Sequence, residues 1–541
     1  MKYFIVNNTS RAAVYGIGTY VRQLTRALSK HTFLQLYFID LYSDNKEFTV
    51  EKDENGLTHY KIPMAYSRIE DDRYCHVVYY LLYPYLPENE AAIFHFNYYQ
   101  HYSLALLLKA CNIHHCIFLS IHYLNWCFEL NGNVTKFRNI LQEKVIEAKY
   151  QPLVDEYRAT KHFLHLADKV LVLSRFCKDL LKSDYEICEH KLHLVYNGLQ
   201  EEHFSVTEKK GNNPIILFVG RLDPIKGVKY LIKAFRQVLQ QYEHAQLVIV
   251  GDGDYNEYLN LCKGIWEKVT FTGKIPHEEL QVFHQQATIG VMPSFHEQCS
   301  YTAIEYMMHG IPFVGTTSTG LSEMLDCVPQ LRVPIREKDF SEEEFITDLA
   351  NAICLLLGNE AVRQNASNKM LAQFNEKYSL QAMQKNLAEL ITPEIRSTDI
   401  PLSSAFLEEL DDYMISLIHD KADIDTDFYG MAGIGVYLWW RISQPKMLTD
   451  EFKVFKIKEY LIYYIDWFYE AALCEKKNSC EPAFALMLQE MYQARFYTTK
   501  VGSLMELLHC EQKGECMKNI SSLEILQNAM HMFITKITTV P

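Results

Sequence analysis

Over most of the chain, short apolar runs alternate with longer stretches in which apolar residues recur at helical spacing. "KYFIV" is followed by "IGTYVRQLTRALSK", where Ile17, Val21, Leu24 and Leu28 fall on one helical face. "LQLYFI", "AIFHF", "CIFLSIH", "KVLVLS" and "KLHLVY" read as further strands. After Lys209 and a polar "KKGNN" break the pattern restarts with "PIILFVG", "AQLVIVG", "KVTFTG", "IGVMPS" and "IPFVGT". Such alternation predicts an α/β protein whose parallel sheets are covered by helices on both faces. The restart near Asn212 predicts two Rossmann-like units, whose ligands would sit at strand carboxyl ends beside helix N-termini. Beyond Pro393 the strand signal stops. From "LSSAFLEELDDYMISLIHD" to "LEILQNAMHMFITKI" the chain reads as helices, and no internal repeat is evident. The expected organisation is an N-terminal Rossmann-like domain over 1–205 and a second over 206–375. A crossing helix at 376–393 would return to the first, and a helical extension of unassigned role would fill 394–541.

Length changes this picture little: 541 residues are enough for several domains. A hydrophobic share of 48% excludes a disordered scaffold, and a formal charge of −14 without a long basic run argues against nucleic acid as a partner. "MKYFIVNNTS" is too short in apolar residues for a signal peptide and reads as a first strand. No charge-free apolar run reaches eighteen residues, so the expectation is a soluble, cytoplasmic protein. Peripheral membrane contact is compatible with the charge-balanced, tyrosine-rich residues 1–200 but has no support there.

The fourteen cysteines are scattered, and reduced thiols packed as small hydrophobes are expected. Cys474 and Cys480 repeat the spacing of Cys510 and Cys516, with His509 adjacent. Zinc sites use tighter spacing, so loop and helix-end thiols are the preferred reading. "CNIHHC", Cys111 to Cys116, reads as a strand start.

Three segments could carry chemistry. In "FVGRLDPIKGVKYLIKAF", Gly220 ends a strand, Arg221 and Lys226 flank a proline turn, and Gly227 opens a helix. A helix N-terminus with a guanidinium and an ammonium suits a diphosphate, although a solvated basic turn would look the same. "GIGTYVRQL" is a second glycine-bearing turn, where Gly16 and Gly18 allow close backbone approach. "HEQCSYTAIEYMMHGIP" holds Glu297 and Glu305 with seven residues between them. Ser300 is a plausible N-cap, and Gly310 and Pro312 stop the helix. Glu297 then lies in the strand-to-helix loop and Glu305 just over one turn into the helix. The first could accept hydrogen bonds from sugar hydroxyls and the second from a ribose diol, with the N–H groups of Gln298, Cys299, Ser300 and Tyr301 facing the same ligand. The plain alternatives are solvent exposure for Glu297 and a salt bridge for Glu305.

Together "GRLDPIKG", "GDGDY" and the E-x7-E segment resemble family 4 glycosyltransferases of the GT-B fold, over residues 1 to about 393 and in the family's order. "YGIGTYVRQL", "SIH", "KVLVLSRFCKDLL" and "VYNGL" extend the likeness. It implies two Rossmann-like domains facing a cleft, followed here by an all-helical extension. It also implies a retaining transferase that needs no metal and takes a sugar from a UDP- or GDP-sugar. Arg221 and Lys226 would bind the diphosphate, Glu305 the ribose and Glu297 the hexose. Gly16 and Gly18 would lie by the phosphates, and His122 would face the donor sugar, unless it is a core histidine. The acceptor would be a polysaccharide, a lipid-linked glycan or a peptide. Two departures bear on the donor: Tyr15 stands where a second glycine is common, and Gln298, Cys299 and Ser300 replace Gly-Phe-Gly. "YGMAGIG" resembles a glycine-rich helix start of lanthionine-synthetase-like toroids, without their metal motifs, and is better read as helix packing. The competing function is an inactive sugar-nucleotide-binding scaffold whose helical tail engages a peptide or protein.

Overall fold

The computed structural model describes residues 1–9, 16–64, 71–87, 90–112, 114–143, 146–201, 213–391, 410–412, 414–415, 431–443, 451–475 and 482–508. They separate into two compact units.

The first unit comprises Met1–Ala65, Ile93–Gln100 and Ile117–Ile395 and carries two sheets. The first sheet contains β1 (Lys2–Asn8), β2 (Gln35–Ser43), β3 (Thr49–Lys52), β4 (Thr58–Pro63), β5 (Ala92–Phe96), β6 (Cys116–Ile121), β7 (Lys169–Val172) and β8 (Leu192–Leu194), in the order β3-β4-β2-β1-β5-β6-β7-β8. The second contains β9 (Ile215–Val219), β10 (Gln246–Val250), β11 (Val269–Gly273), β12 (Ile289–Met292), β13 (Phe313–Thr316) and β14 (Arg332–Val333), ordered β11-β10-β9-β12-β13-β14 and parallel throughout. Every residue of β5 and β6 is buried, as interior strands of a sheet covered on both faces must be. Phe4 and Phe94 stack at 4.7 Å across neighbouring strands.

Four strands depart from the sequence reading. β3 and β4 form an antiparallel hairpin at the sheet edge, so the first sheet is mixed rather than wholly parallel. Its turn is set by Asp53, whose Oδ1 accepts from the backbone N–H of Asn55 and of Leu57. β14 is a two-residue strand at the far edge of the second sheet. "KVLVLS" ends as strand at Val172, because Ser174 caps the helix Arg175–Ser183, its Oγ accepting from Cys177 N–H at 3.1 Å.

After the second sheet the chain returns to the first. The helix Leu380–Leu390 packs against the helix Gly16–Leu28, and Leu199 forms a parallel bridge with Ser379. Cys127, Cys177, Cys262 and Cys299 are buried thiols in this unit.

The second unit comprises Tyr66–Ala92, His101–Cys116 and Arg396–Pro541. Helices Asp71–Leu82 and Tyr102–Cys111 pack together, and so do Met431–Ile442, Glu451–Glu475, Pro482–Gln493 and Thr498–Leu507. Gly435 faces the Tyr464 ring so closely that a Cβ there would lie 2.5 Å from it, which is a helix-packing role. Tyr429 and Gly430 of the same motif lie outside the described residues, as do Cys480, Cys510, Cys516, His509 and the side chain of Cys474. Arg441 is 1% exposed, and its Nε donates to Asp411 Oδ1 at 3.1 Å, while Tyr437 OH donates to the same oxygen at 2.8 Å. Among the described residues no single helix is long and apolar enough to cross a membrane.

Candidate active site

The two cations and two acids meet at the carboxyl ends of β9 and β12. After β9, Pro224–Lys226 forms a single 3-10 turn that ends in Gly227. Gly227 has φ +70°, and a Cβ there would sit 2.2 Å from the Pro293 carbonyl oxygen. Only glycine lets this turn lie on the loop that follows β12. The Ile225 carbonyl accepts from Phe295 N–H at 2.8 Å and stitches the two loops together. Lys226 Nζ then reaches Glu297 Oε1 at 2.6 Å. Arg221 Nη2 lies 2.8 Å from Asp223 Oδ2.

Glu297 is 9% exposed, so the solvent-exposed reading is wrong: the loop buries it against the lysine. Its backbone is clamped from the other side. Glu297 N–H donates to Thr319 Oγ1, and its carbonyl accepts from the Thr319 hydroxyl at 2.6 Å and from Gly320 N–H at 2.8 Å. A carboxylate held this way is pre-positioned, because neither loop can shift without losing bonds.

The helix Tyr301–Met308 begins at Ser300, whose Oγ accepts from Ala303 N–H, and its positive end opens beside Glu297. Glu305 is half-buried on it. A cavity of about 560 Å³ collects Arg221, Lys226, Glu297, Gln298, Cys299, Ser300, Tyr301 and Glu305 with Gly16 and His122 from the first sheet's half. Gly18 is the one expected residue that does not line it. As the third residue of the helix Gly16–Leu28 it is buried, whereas Gly16, Ile17 and Thr19 face the cavity.

His122 follows β6. Its Nε2 lies 3.1 Å from Asn97 Oδ1, and the Asn97 amide nitrogen in turn donates to the Val6 carbonyl, so Nε2 carries the proton. Burial pushes the imidazole pKa down to about 3, which leaves the ring neutral near pH 7. The Tyr20 ring meets it edge-on at 4.5 Å. Behind them runs a buried chain: Tyr3 OH to His95 Nδ1 at 2.7 Å, His95 Nε2 to Ser120 Oγ at 2.7 Å, and Ser120 Oγ to Tyr20 OH at 2.9 Å. Desolvation holds His95 down at about 3 and raises both tyrosines. His122 therefore lies between a buried polar network and the cavity that it lines.

Polar bonds also join the halves around the cavity. Arg175 Nε donates to Glu323 Oε2 at 2.7 Å and its side chain also pairs with Asp326. Glu337 Oε2 accepts from both the N–H and the hydroxyl of Thr135. Burial raises the Glu323 pKa, and the Arg175 bonds partly offset it.

Several residues that sequence reasoning missed share the site. Asn197 from "VYNGL" donates through Nδ2 to the Cys299 carbonyl at 2.6 Å and lines the cavity, as do Tyr123, Phe128, Asp252 and Lys274. Lys274 directly follows β11, the strand-end position that marks such sites. Among the described residues no group of three His, Cys, Asp or Glu side chains is placed to hold a metal ion.

Comparison with known proteins bears on the whole arrangement. Residues 14–203 match the family described as "Glycosyltransferase Family 4", and residues 213–359 match "Glycosyl transferases group 1". A 173-residue segment is 34% identical to an uncharacterized glycosyltransferase of Methanocaldococcus jannaschii, covering 29% of this chain and 44% of the relative. A 250-residue segment is 26% identical to the alpha-D-kanosaminyltransferase of Streptomyces kanamyceticus, covering 42% of this chain and 61% of the relative. The chain spans about half the length of the curated relatives it matches. Among solved structures, sucrose-phosphate synthase of Thermosynechococcus elongatus aligns with a TM-score of 0.56 at 21% identity, over 72% of this chain and 98% of that one. Anabaena HepE in complex with UDP aligns at 0.54 with 14% identity, over 72% and 99%. Both share the two-sheet architecture.

Proposed function

We propose that this chain, which belongs to the family 4, group 1 glycosyltransferases of the GT-B fold, moves a hexose-type sugar from a nucleotide-diphosphate sugar to an acceptor hydroxyl, with retention at the anomeric carbon. The observation that carries the reading is the convergence of Arg221, Lys226, Glu297 and Glu305 in one cavity, with Lys226 Nζ 2.6 Å from Glu297. Cations at a helix-flanked turn can neutralise a diphosphate, and the acids beside them can take hydroxyls from the sugars at its two ends.

On this reading the second sheet's half, residues 206–375, binds the donor. Residues 1–205 present the acceptor, and 376–393 cross back. Arg221 and Lys226 hold the β-phosphate as the bond from its oxygen to the anomeric carbon breaks. The acceptor oxygen forms its bond to that carbon from the same face, and its proton passes to the departing phosphate oxygen. The nucleoside diphosphate leaves carrying the charge that Arg221 and Lys226 offset. Glu297 orients the hexose, Glu305 accepts from the ribose diol, and the neutral His122 serves as a hydrogen-bonding group without adding charge. UDP and GDP are the nucleotides proposed, metal independence and a cytoplasmic site of action belong to the same proposal, and a hydroxyl on a polysaccharide, a lipid-linked glycan or a peptide satisfies the acceptor chemistry.

The test is release of nucleoside diphosphate from a panel of UDP- and GDP-sugars, with and without an acceptor of each class. Release with one donor and faster release with an acceptor are expected. No binding and no release with any donor would overturn the proposal.

A further inference from the structure

Two carboxamides in the cavity are each fixed at one end and unsatisfied at the other. Asn197 is 4% exposed, and its Nδ2 is committed to the Cys299 carbonyl at 2.6 Å. Flipping the amide would set oxygen against oxygen, so its Oδ1 must stay where it is, buried and without a hydrogen-bond partner. Gln298 is 5% exposed. Its Oε1 accepts from the Ser174 hydroxyl at 2.8 Å, and Ser174 Oγ already accepts from Cys177 N–H, so the hydroxyl proton is available for Gln298. That leaves Gln298 Nε2 buried and without a partner. Both residues line the cavity, and Asn197 is bonded to the residue that follows Gln298, so the two free ends border the same short segment.

Buried polar groups are nearly always paired, and these two unpaired atoms belong to side chains that line the cavity, where a ligand can complete them. The open ends are one acceptor, Asn197 Oδ1, and one donor, Gln298 Nε2. The complementary ligand must both donate and accept. A sugar hydroxyl does this with one atom, and an acetamido group does it with its N–H and C=O. A carboxylate cannot, because it offers no proton to Asn197 Oδ1 and it would approach Glu297, the residue before Gln298.

We infer that Gln298 and Asn197 select the donor sugar by the substituent at the ring position they face, admitting a hydroxyl or an acetamido group there and rejecting a carboxylate, which in a hexuronate is the group at C6. This rests on the glycosyltransferase reading and adds the substrate class to it. Ser174 is a positioning residue in this scheme, acting only through Gln298.

The experiment is calorimetric titration of the full chain with UDP, GDP, UDP-glucose, UDP-N-acetylglucosamine, UDP-glucuronate, GDP-mannose and GDP-mannuronate. The wild type is expected to bind a neutral sugar nucleotide at least about tenfold more tightly than the uronate of the same nucleotide. Gln298→Met keeps the volume and removes the donor. It should weaken the neutral sugar nucleotide by about tenfold while leaving the affinity for the bare nucleoside diphosphate unchanged. Asn197→Ser provides a second variant with the same expected split, and a thermal melt of each confirms that it is folded. Equal weakening of sugar nucleotide and nucleoside diphosphate, no weakening of either, or tighter binding of the uronate would each overturn the inference. If the wild type binds none of the nucleotides or nucleotide sugars, the glycosyltransferase reading itself fails, which is a different result from an unselective but active site.

Discussion

Lys226 Nζ donates to Glu297 Oε1 at 2.6 Å across a sequence gap of 71 residues, joining the turn after β9 to the loop after β12. The pair is enclosed on most sides, the lysine side chain being 21% exposed and that of the glutamate 10%. The remaining exposure leaves the ammonium able to exchange the carboxylate for another anion.

The first prediction concerns this pair as a catalytic unit. Lys226→Ala and Glu297→Ala should each lower the rate of sugar transfer by about 100-fold or more. The double variant should fall little further than the worse single one, because groups acting together are not additive. Steady-state rates on all three, with circular dichroism to confirm folding, check this. Wild-type-like turnover in either single variant would remove both residues from the mechanism.

Gly227→Ala should be costly for a reason separate from chemistry. The new methyl group would meet the Pro293 carbonyl oxygen at 2.2 Å, in addition to the left-handed backbone penalty. Gly264 has a similar φ of +83° but open space around it. Gly264→Ala should therefore cost only the backbone term of about 1–2 kcal/mol, and Gly227→Ala clearly more. Urea unfolding of both variants measures the difference.

Acid should destabilise the first unit through His95. The folded ring takes a proton only near pH 3, whereas the unfolded chain does so near its ordinary value of 6.5. Between those values the unfolded state binds more protons, so stability rises with pH across the window and is lost as the pH falls from 6.5 toward 3. Going from about pH 7 to about pH 5 should cost on the order of 2 kcal/mol for this histidine alone. His95→Gln should remove close to one proton from the pH slope of the unfolding free energy, which denaturant titrations at several pH values would reveal.

In the helical unit, Arg441→Met would leave the Asp411 carboxylate buried without its cation. Burial already raises the Asp411 pKa against the pull of Arg441, so the loss should be about 3–5 kcal/mol. Adding Asp411→Leu to the same variant should recover much of it, since the pair is then replaced by apolar contact. Thermal unfolding of the single and double variants tests the order.

What could be read from sequence follows from how each element is stabilised. β5 and β6 announced themselves because interior strands of a sheet covered on both faces must be apolar on both sides. β3 did not, since an edge strand reading "TVEK" needs no buried face, and the turn residues in "DENG" were its one usable signal. Ser300 and Gly310 bounded a helix correctly because capping is local chemistry. The part played by Asn197 is not local: its side chain is held by a carbonyl 102 residues away. The same holds for Glu297, whose burial is decided by Thr319 and Lys226 rather than by its neighbours in the chain.

The stitch between the Ile225 carbonyl and the Phe295 amide has a mechanical consequence. Ammonium and carboxylate ride on one rigid platform anchored to a single sheet, so a hinge between the two sheets would carry them along intact. Such a swing would change how far the platform stands from His122 and Gly16, and it would also have to stretch the bonds that Asn197 and Ser174 make to Cys299 and Gln298, while the Lys226–Glu297 pair moved as one.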